Sequence, residues 1–306
     1  MARKLLLLAA VATASVLALA GCSGGTAAAK DDGRIRVTAS TDVYGQIVQA
    51  IGGDAVQVTS IIDKASEDPH EFEASAADQL AINDAQLILQ NGAGYDAFMQ
   101  QLVAARPKPS VPVITSVTLS PEWPGGSATA TPDGFNEHVF YDLRTVKSVA
   151  SRIATDLADI HPADKPGFTS RLASFTAQID ALQAQQAAIA KKRAGAHAFV
   201  TEPLPVYLIT GAGLRNATPA AFSEAVEAGN DVPPSTLLQA KALLASGTIH
   251  VLIANSQAGG PETTTVIDQA KAQRVPVLEW SETVPSGLTY IQWMQRNLDE
   301  LASALK

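Results

Sequence analysis

Cysteine is almost absent from this 306-residue chain: the one copy is Cys22. An intrachain disulfide is therefore impossible, and so is a zinc site built on several thiolates. Aromatic residues make up only 5% of the chain, which argues against a binding cleft paved with rings. Cations are also sparse, with 22 Lys and Arg against 30 Asp and Glu and a net charge of −8. Removing Arg3 and Lys4 with a leader leaves 20 against 30, or −10. Nucleic acid and anionic membrane surfaces both demand a positive field, so neither is expected as a partner. No GxxxxGK[ST] loop, no GxGxxG after a strand, no GxSxG elbow and no HExxH pair occurs. Phosphate-loop chemistry, a serine nucleophile of the hydrolase type and the common zinc-protease helix are thereby set aside.

The apolar runs are short. The longest, Leu5 to Leu19, follows Arg3 and Lys4 and ends in Leu19-Ala20-Gly21-Cys22. A basic start, a short apolar core and a small-residue cleavage site describe a secretory signal, and the run falls below the ~20 residues of a membrane-spanning helix. Its Leu-Ala-Gly-Cys ending looks like a bacterial lipobox. Residues 1–21 are thus expected to be a signal peptide, and Cys22 an acylated first residue of the mature chain. Residues 22–33, rich in Gly, Ser and Ala, read as a flexible tether.

From Arg34 onward, β-branched runs alternate with helical patterns. Strands are expected at Ile35–Ala39, Val56–Ile62, Gln86–Leu89 and Val111–Thr115, then at Ala198–Thr201, His250–Ala254 and Val275–Leu278. Helical stretches such as Tyr44–Ile51 and Ala76–Asn83 lie between them. Ser75 and Asp78 are spaced as a capping box. This alternation predicts an α/β protein with parallel sheets flanked by helices. In the middle, Phe168, Leu172, Phe175, Ile179, Leu182 and Ile189 follow a 4-3-4-3 spacing broken only by Gln186. Such a helix is longer than a small lobe needs. It is read as a rigid strut over 166–194, joining an N-terminal lobe (34–165) to a C-terminal lobe (195–306). A strut implies small lobe adjustments on ligand binding rather than wide hinge opening. Ile291, Met294, Leu298, Leu301 and Leu305 mark a closing helix.

Ligands of open parallel sheets sit beyond the carboxyl ends of the strands. Val56–Ile62 runs into an acidic loop ending at His70, Ala198–Thr201 runs into Glu202, and Val275–Leu278 runs into Glu279 and Glu282. His138 ends the long Pro/Gly-rich loop that begins at Pro121. These residues are candidate metal ligands. Each also has an ordinary reading: a lone histidine is usually a hydrogen-bonded structural group, and Glu202 before Pro203 can serve backbone N–H groups. His161, His197 and His250 read as structural.

The whole mature segment resembles the zinc and manganese solute-binding lipoproteins of ABC transporters. Glu67-Asp68-Pro69-His70-Glu71-Phe72-Glu73 is similar to that family's DPHxxE ligand loop. Asn136-Glu137-His138-Val139-Phe140 looks like the segment with its second histidine. Val200-Thr201-Glu202-Pro203 and Ser281-Glu282-Thr283-Val284-Pro285 resemble those supplying its third and fourth ligands. The resemblance implies two α/β lobes joined by one long helix, with Zn²⁺ or Mn²⁺ bound between them by His70, His138, Glu202 and Glu282. It also implies a monomer on the extracytoplasmic face of a bacterial membrane, serving a permease and its ATPase and catalysing no reaction. Two departures stand out. The fourth ligand is usually aspartate, so Glu279 competes with Glu282, and the histidine-rich loop common in zinc receptors is missing. An oxygen-rich ligand set leans toward Mn²⁺, and affinity is expected to fall as pH drops through the histidine range. The rival readings are an exported metallohydrolase with Glu67 or Glu137 as base, a chelate or small-solute receptor, and a surface lipoprotein whose metal only stabilises the fold.

Overall fold

The computed structural model describes residues 33–306. The expected signal peptide, Cys22 and nearly all of the tether lie outside them. The described chain builds two four-stranded sheets, each wholly parallel. The first contains β1 (Ile35–Thr41), β2 (Val56–Ile62), β3 (Leu87–Gln90) and β4 (Val113–Thr115) in the order β2-β1-β3-β4. The second contains β5 (His197–Val200), β6 (Arg215–Asn216), β7 (Ile249–Asn255) and β8 (Val277–Trp280) in the order β6-β5-β7-β8. The chain winds outward from β1 to β2 and then from β3 to β4, and it repeats this pattern in the second sheet. Each sheet therefore has a switch point, between β1 and β3 and between β5 and β7, where a crevice opens at the carboxyl ends.

The strands formed where the β-branched runs occur, with ends shifted by one or two residues. Two shifts have a common cause. The expected strands at Val111 and Val275 begin two residues later, after Pro112 and Pro276, which have no N–H to donate to a ladder. Their carbonyls are still used, accepting from Ile88 and Leu252. The two-residue β6 has no apolar run to announce it.

Helices cover the sheets: α1 (Asp42–Gly52), α2 (Ala76–Asp84), α3 (Ala97–Ala104) and α4 (Leu143–Ile160) in the first lobe, then α5 (Lys165–Arg193) between the lobes. The second lobe adds α6 (Val206–Gly211), α7 (Ala220–Glu227), α8 (Pro234–Ala245), α9 (Pro261–Ala272) and α10 (Tyr290–Ala304). The Ser75–Asp78 capping box at α2 is present in both directions. In α4, Leu143, Val146, Val149, Ala150, Ile153 and Leu157 form one buried face.

At 29 residues, α5 is ~43 Å long. Phe168, Phe175, Ile179, Leu182 and Ile189 are buried along it, and Leu172 is half-buried. Gln186, the break in the apolar pattern, is buried too, because its amide donates to the Leu208 carbonyl at 3.0 Å. The largest hydrophobic core runs without interruption from Ile35 and Val37 through Phe175 and Ile179 to Trp293 and Leu301. The two lobes thus share one core along the strut.

Candidate metal centre

Four loops bring the site together, two from each lobe. In the first lobe, β2 leads into the loop 63–75, where the His70 N–H donates to Asp68 Oδ1 at 2.8 Å and closes a tight Asx turn. His138 precedes a single 3₁₀ turn, Val139–Tyr141. Its loop is held by Asn91 at the end of β3, whose amide donates to the Glu137 carbonyl at 3.0 Å. Asp96 fixes that corner by accepting from the N–H groups of Asn91 and Gly92. In the second lobe, Glu202 follows β5 by two residues. Glu282 follows β8 by two, with its N–H donating to Gln257 Oε1 at 2.5 Å.

His70, His138 and Glu282 each present a ligand atom, and these atoms lie within 4.8 Å of one another. Glu202 stands beside that set, tied to Glu282 through Asn255, whose amide nitrogen donates to Glu202 Oε2 at 2.6 Å and to Glu282 Oε1 at 2.8 Å. His138 is 0%, Glu282 1% and Glu202 2% exposed, while the His70 side chain retains 21%. Glu279 is exposed on β8 and takes no part in the cluster. His161 is bonded to Asp164 at the surface, and His250 accepts from the His197 backbone, far from the site in role.

The pairing of atoms is more telling than the distances. His70 Nε2, His138 Nε2, Glu202 Oε1 and Glu282 Oε2 are all buried without a hydrogen bond of ordinary geometry among the described residues, although the Tyr95 hydroxyl, equally unbonded, lies near enough to Glu282 to oppose the rise of its pKa. Buried polar atoms are normally paired, because desolvating one without compensation costs about 1–3 kcal/mol. One such atom comes from each of the four side chains. The other nitrogen of His138 is engaged: Nδ1 lies 2.9 Å from Asn136 Oδ1. Asn136 Nδ2 donates to the Pro203 carbonyl and its Oδ1 accepts from the His138 N–H. The oxygen therefore faces the ring, Nδ1 carries the proton, and Nε2 is left with a lone pair.

Burial decides the charges. It lowers the pKa of His70, against the opposing pull of Asp68 and Glu71. It lowers that of His138 further, with a smaller contribution from His70. Both imidazoles are neutral near pH 7, as ligation requires. Burial pushes Glu202 up to about 7 and, with repulsion from Glu202 and Asp68, Glu282 up to about 8. Burial thus moves the carboxyls up toward neutrality while it moves the imidazoles down, so the carboxylates join the histidines as groups whose protonation bears on ligation.

Sequence reasoning offered Glu137 only as the base of a rival reading, and it missed Glu227 altogether. Glu137 Oε1 lies 3.6 Å from His70 Nδ1, and Glu227, at the end of α7, lies 3.7 Å from His138 Nδ1. Burial raises these carboxyls to about 7 and about 8. Rings also gather here, contrary to the expectation drawn from the low aromatic content. Tyr95 packs edge-on to His70 at 5.1 Å and to His138 at 5.6 Å, and Phe140 lies 5.8 Å from His138. A few aromatics suffice when the fold concentrates them at the switch points.

Known proteins show the same organisation. The manganese-binding lipoprotein MntA of Halalkalibacterium halodurans is 25% identical over 172 residues, 55% of this chain and 54% of that protein. MntA of Bacillus subtilis is 29% identical over 139 residues, 45% of this chain and 44% of its own. The match thus spans about half the length of these relatives. Among solved structures, the periplasmic zinc-binding protein TroA of Treponema pallidum superposes with a TM-score of 0.74 at 19% identity, over 89% of this chain and 99% of that one. The solute-binding protein FpvC of Pseudomonas aeruginosa, in complex with Mn²⁺, gives 0.71 at 24%, over 89% and 98%. At those identities the likeness is one of fold. The model of the family described as periplasmic component A of the zinc-uptake complex matches residues 37–304, and the chain belongs to that family.

Proposed function

We propose that this protein is an extracytoplasmic receptor that captures a divalent transition metal, Zn²⁺ or Mn²⁺, between its lobes and hands it to an ABC importer. His70, His138, Glu202 and Glu282 are its ligands. The observation that carries this reading is that ligand atoms of His70, His138 and Glu282 lie within 4.8 Å of one another, with Glu202 tied to them through Asn255, and that each of the four side chains keeps a buried donor atom without a partner among the described residues. Two neutral imidazoles and two carboxylates balance the charge of a divalent ion and offer nitrogen and oxygen donors suited to both metals. The names of the relatives point the same way, since MntA is called manganese-binding and TroA zinc-binding.

Binding without turnover follows from the donor set. A catalytic metal keeps an open position for water or substrate, whereas four protein ligands together would leave none in a tetrahedral sphere. Acylation of Cys22, with residues 23–33 as tether, would hold the receptor beside its permease and ATPase, and a monomer suffices for that task. Lobes at 34–165 and 195–306 with the helix between them complete this reading.

The test is elemental analysis of the purified mature protein after exposure to Zn²⁺ and Mn²⁺ together, repeated with His70→Ala. One equivalent of metal is expected in the native chain and none retained by the variant. Equal metal content in the two proteins would show that the ligands lie elsewhere.

A further inference from the structure

Asn255 ends β7 at the switch point of the second sheet, directly beside the two carboxylates. It is buried, and three of its groups are assigned to definite partners. Its backbone N–H donates to Thr201 Oγ1 at 3.0 Å, and its side-chain Oδ1 accepts from the Gln257 N–H at 3.0 Å. That leaves Nδ2, which donates to Glu202 Oε2 at 2.6 Å and Glu282 Oε1 at 2.8 Å. The amide cannot sit the other way round, because Oδ1 would then face two carboxylates and the Gln257 N–H would lose its acceptor.

Both hydrogens of one NH₂ group are therefore spent on holding two carboxylates. In each carboxylate the oxygen held by Asn255 is drawn toward the amide. The remaining oxygen, Glu202 Oε1 or Glu282 Oε2, is buried without a partner among the described residues. Gln257 adds a second restraint, since its Oε1 accepts from the N–H groups of both Glu282 and Thr283. Bidentate ligation needs both oxygens of a carboxylate at similar distances from the ion. A short, charge-assisted bond at one oxygen opposes that arrangement.

Building on the metal-receptor reading above, we infer that Asn255 is a positioning residue that sets metal specificity by restricting Glu202 and Glu282 to one donor oxygen each. The sphere then holds two nitrogens and two oxygens. Four-coordinate tetrahedral geometry suits Zn²⁺, whereas Mn²⁺ favours six donors, mostly oxygen. The clamp thus tips a site of mixed donors toward Zn²⁺.

Co²⁺ is the probe, because tetrahedral Co²⁺ absorbs strongly in the visible and five- or six-coordinate Co²⁺ only weakly. Asn255→Ser keeps an oxygen that can accept from the Gln257 N–H but is too short to reach both carboxylates. Asn255→Asp keeps the shape and Oδ1 while removing the NH₂ group, and it serves if the serine variant fails to fold. The native protein is expected to give the intense tetrahedral band. The variants are expected to lose most of it and to lower the ratio of Zn²⁺ to Mn²⁺ affinity, with Zn²⁺ affinity itself falling by roughly 10–100-fold, the usual scale for a residue behind a metal ligand. A weak band in the native protein overturns the inference, as do an unchanged band and ratio in a folded variant. His70→Ala separates this failure from that of the site itself: if it takes up Co²⁺ as the native chain does, the ligands are wrong, whatever Asn255 does.

Discussion

For a ligating histidine, the nitrogen that does not touch the metal matters nearly as much as the one that does. Asn136 holds His138 Nδ1–H at 2.9 Å and so keeps the Nε2 lone pair directed at the site. Asn136→Ala is expected to weaken metal affinity by roughly 10–100-fold while leaving the fold intact, as a chelator-competition titration would read. His138→Ala should exceed that loss, since it removes the donor itself. The carboxylates are expected to add an acid dependence of their own. Burial pushes the Glu202 and Glu282 carboxyls up to about 7 and about 8, so below those values protons would occupy oxygens that the proposed site needs. Apparent affinity is therefore expected to climb steeply as pH rises through 7 to 8 and to level off above. Calorimetry at pH 7 in buffers of different ionisation enthalpy should show protons released on binding. A flat profile from pH 6 to 9 would mean that these two groups are not displaced from their protons by the metal.

The elements that carry the site were largely legible in the chain, and the reasons are local. Three strands, β2, β5 and β8, run at the expected edge into the segments that carry candidate ligands: Glu202 and Glu282 follow β5 and β8 by two residues, and His70 lies farther along the acidic loop after β2. Glu279 was separable from Glu282 only in three dimensions, because the alternation along β8 turns Glu279 outward. Asn255 obeys the same strand-end rule as the acidic residues, yet an amide after a strand attracts no notice until two carboxylates are seen to share it. Glu227 gave no signal at all, since it reaches the site from the far end of α7. One element-scale contact is testable by stability. Arg171 on α5 donates from Nε and Nη2 to the carbonyls of Ile51 and Gly52, at 2.7 and 2.8 Å, and so closes the C-terminal end of α1. Arg171→Ala leaves those carbonyls unpaired and is expected to cost about 1–3 kcal/mol in denaturant unfolding. Metal affinity should stay as it was, because α1 ends at the opposite side of the sheet from the ligand loops.

Across the whole molecule, the shared core and the strut limit how the lobes can move. Hydrogen bonds also cross between them next to the site: Tyr141 to the Ser281 carbonyl at 2.8 Å, Asn136 to the Pro203 carbonyl at 2.9 Å, and Val284 N–H to Asp42 at 3.2 Å. A wide opening would break these bonds and expose apolar surface along α5. Scattering with and without metal is thus expected to give nearly superimposable profiles, and a large contraction on binding would show that the strut is a hinge. The same rigidity means that the empty protein should remain folded. Metal then adds stability by mass action, ~4 kcal/mol when free metal is about a thousand times Kd. For a domain of this size that corresponds to a rise in Tm on the order of 10 °C. Thermal unfolding with metal and with excess chelator should therefore show two cooperative transitions separated by that interval. A chelated sample with no transition would instead make the ion a structural element of the fold, and a receptor that must release its cargo cannot be built that way.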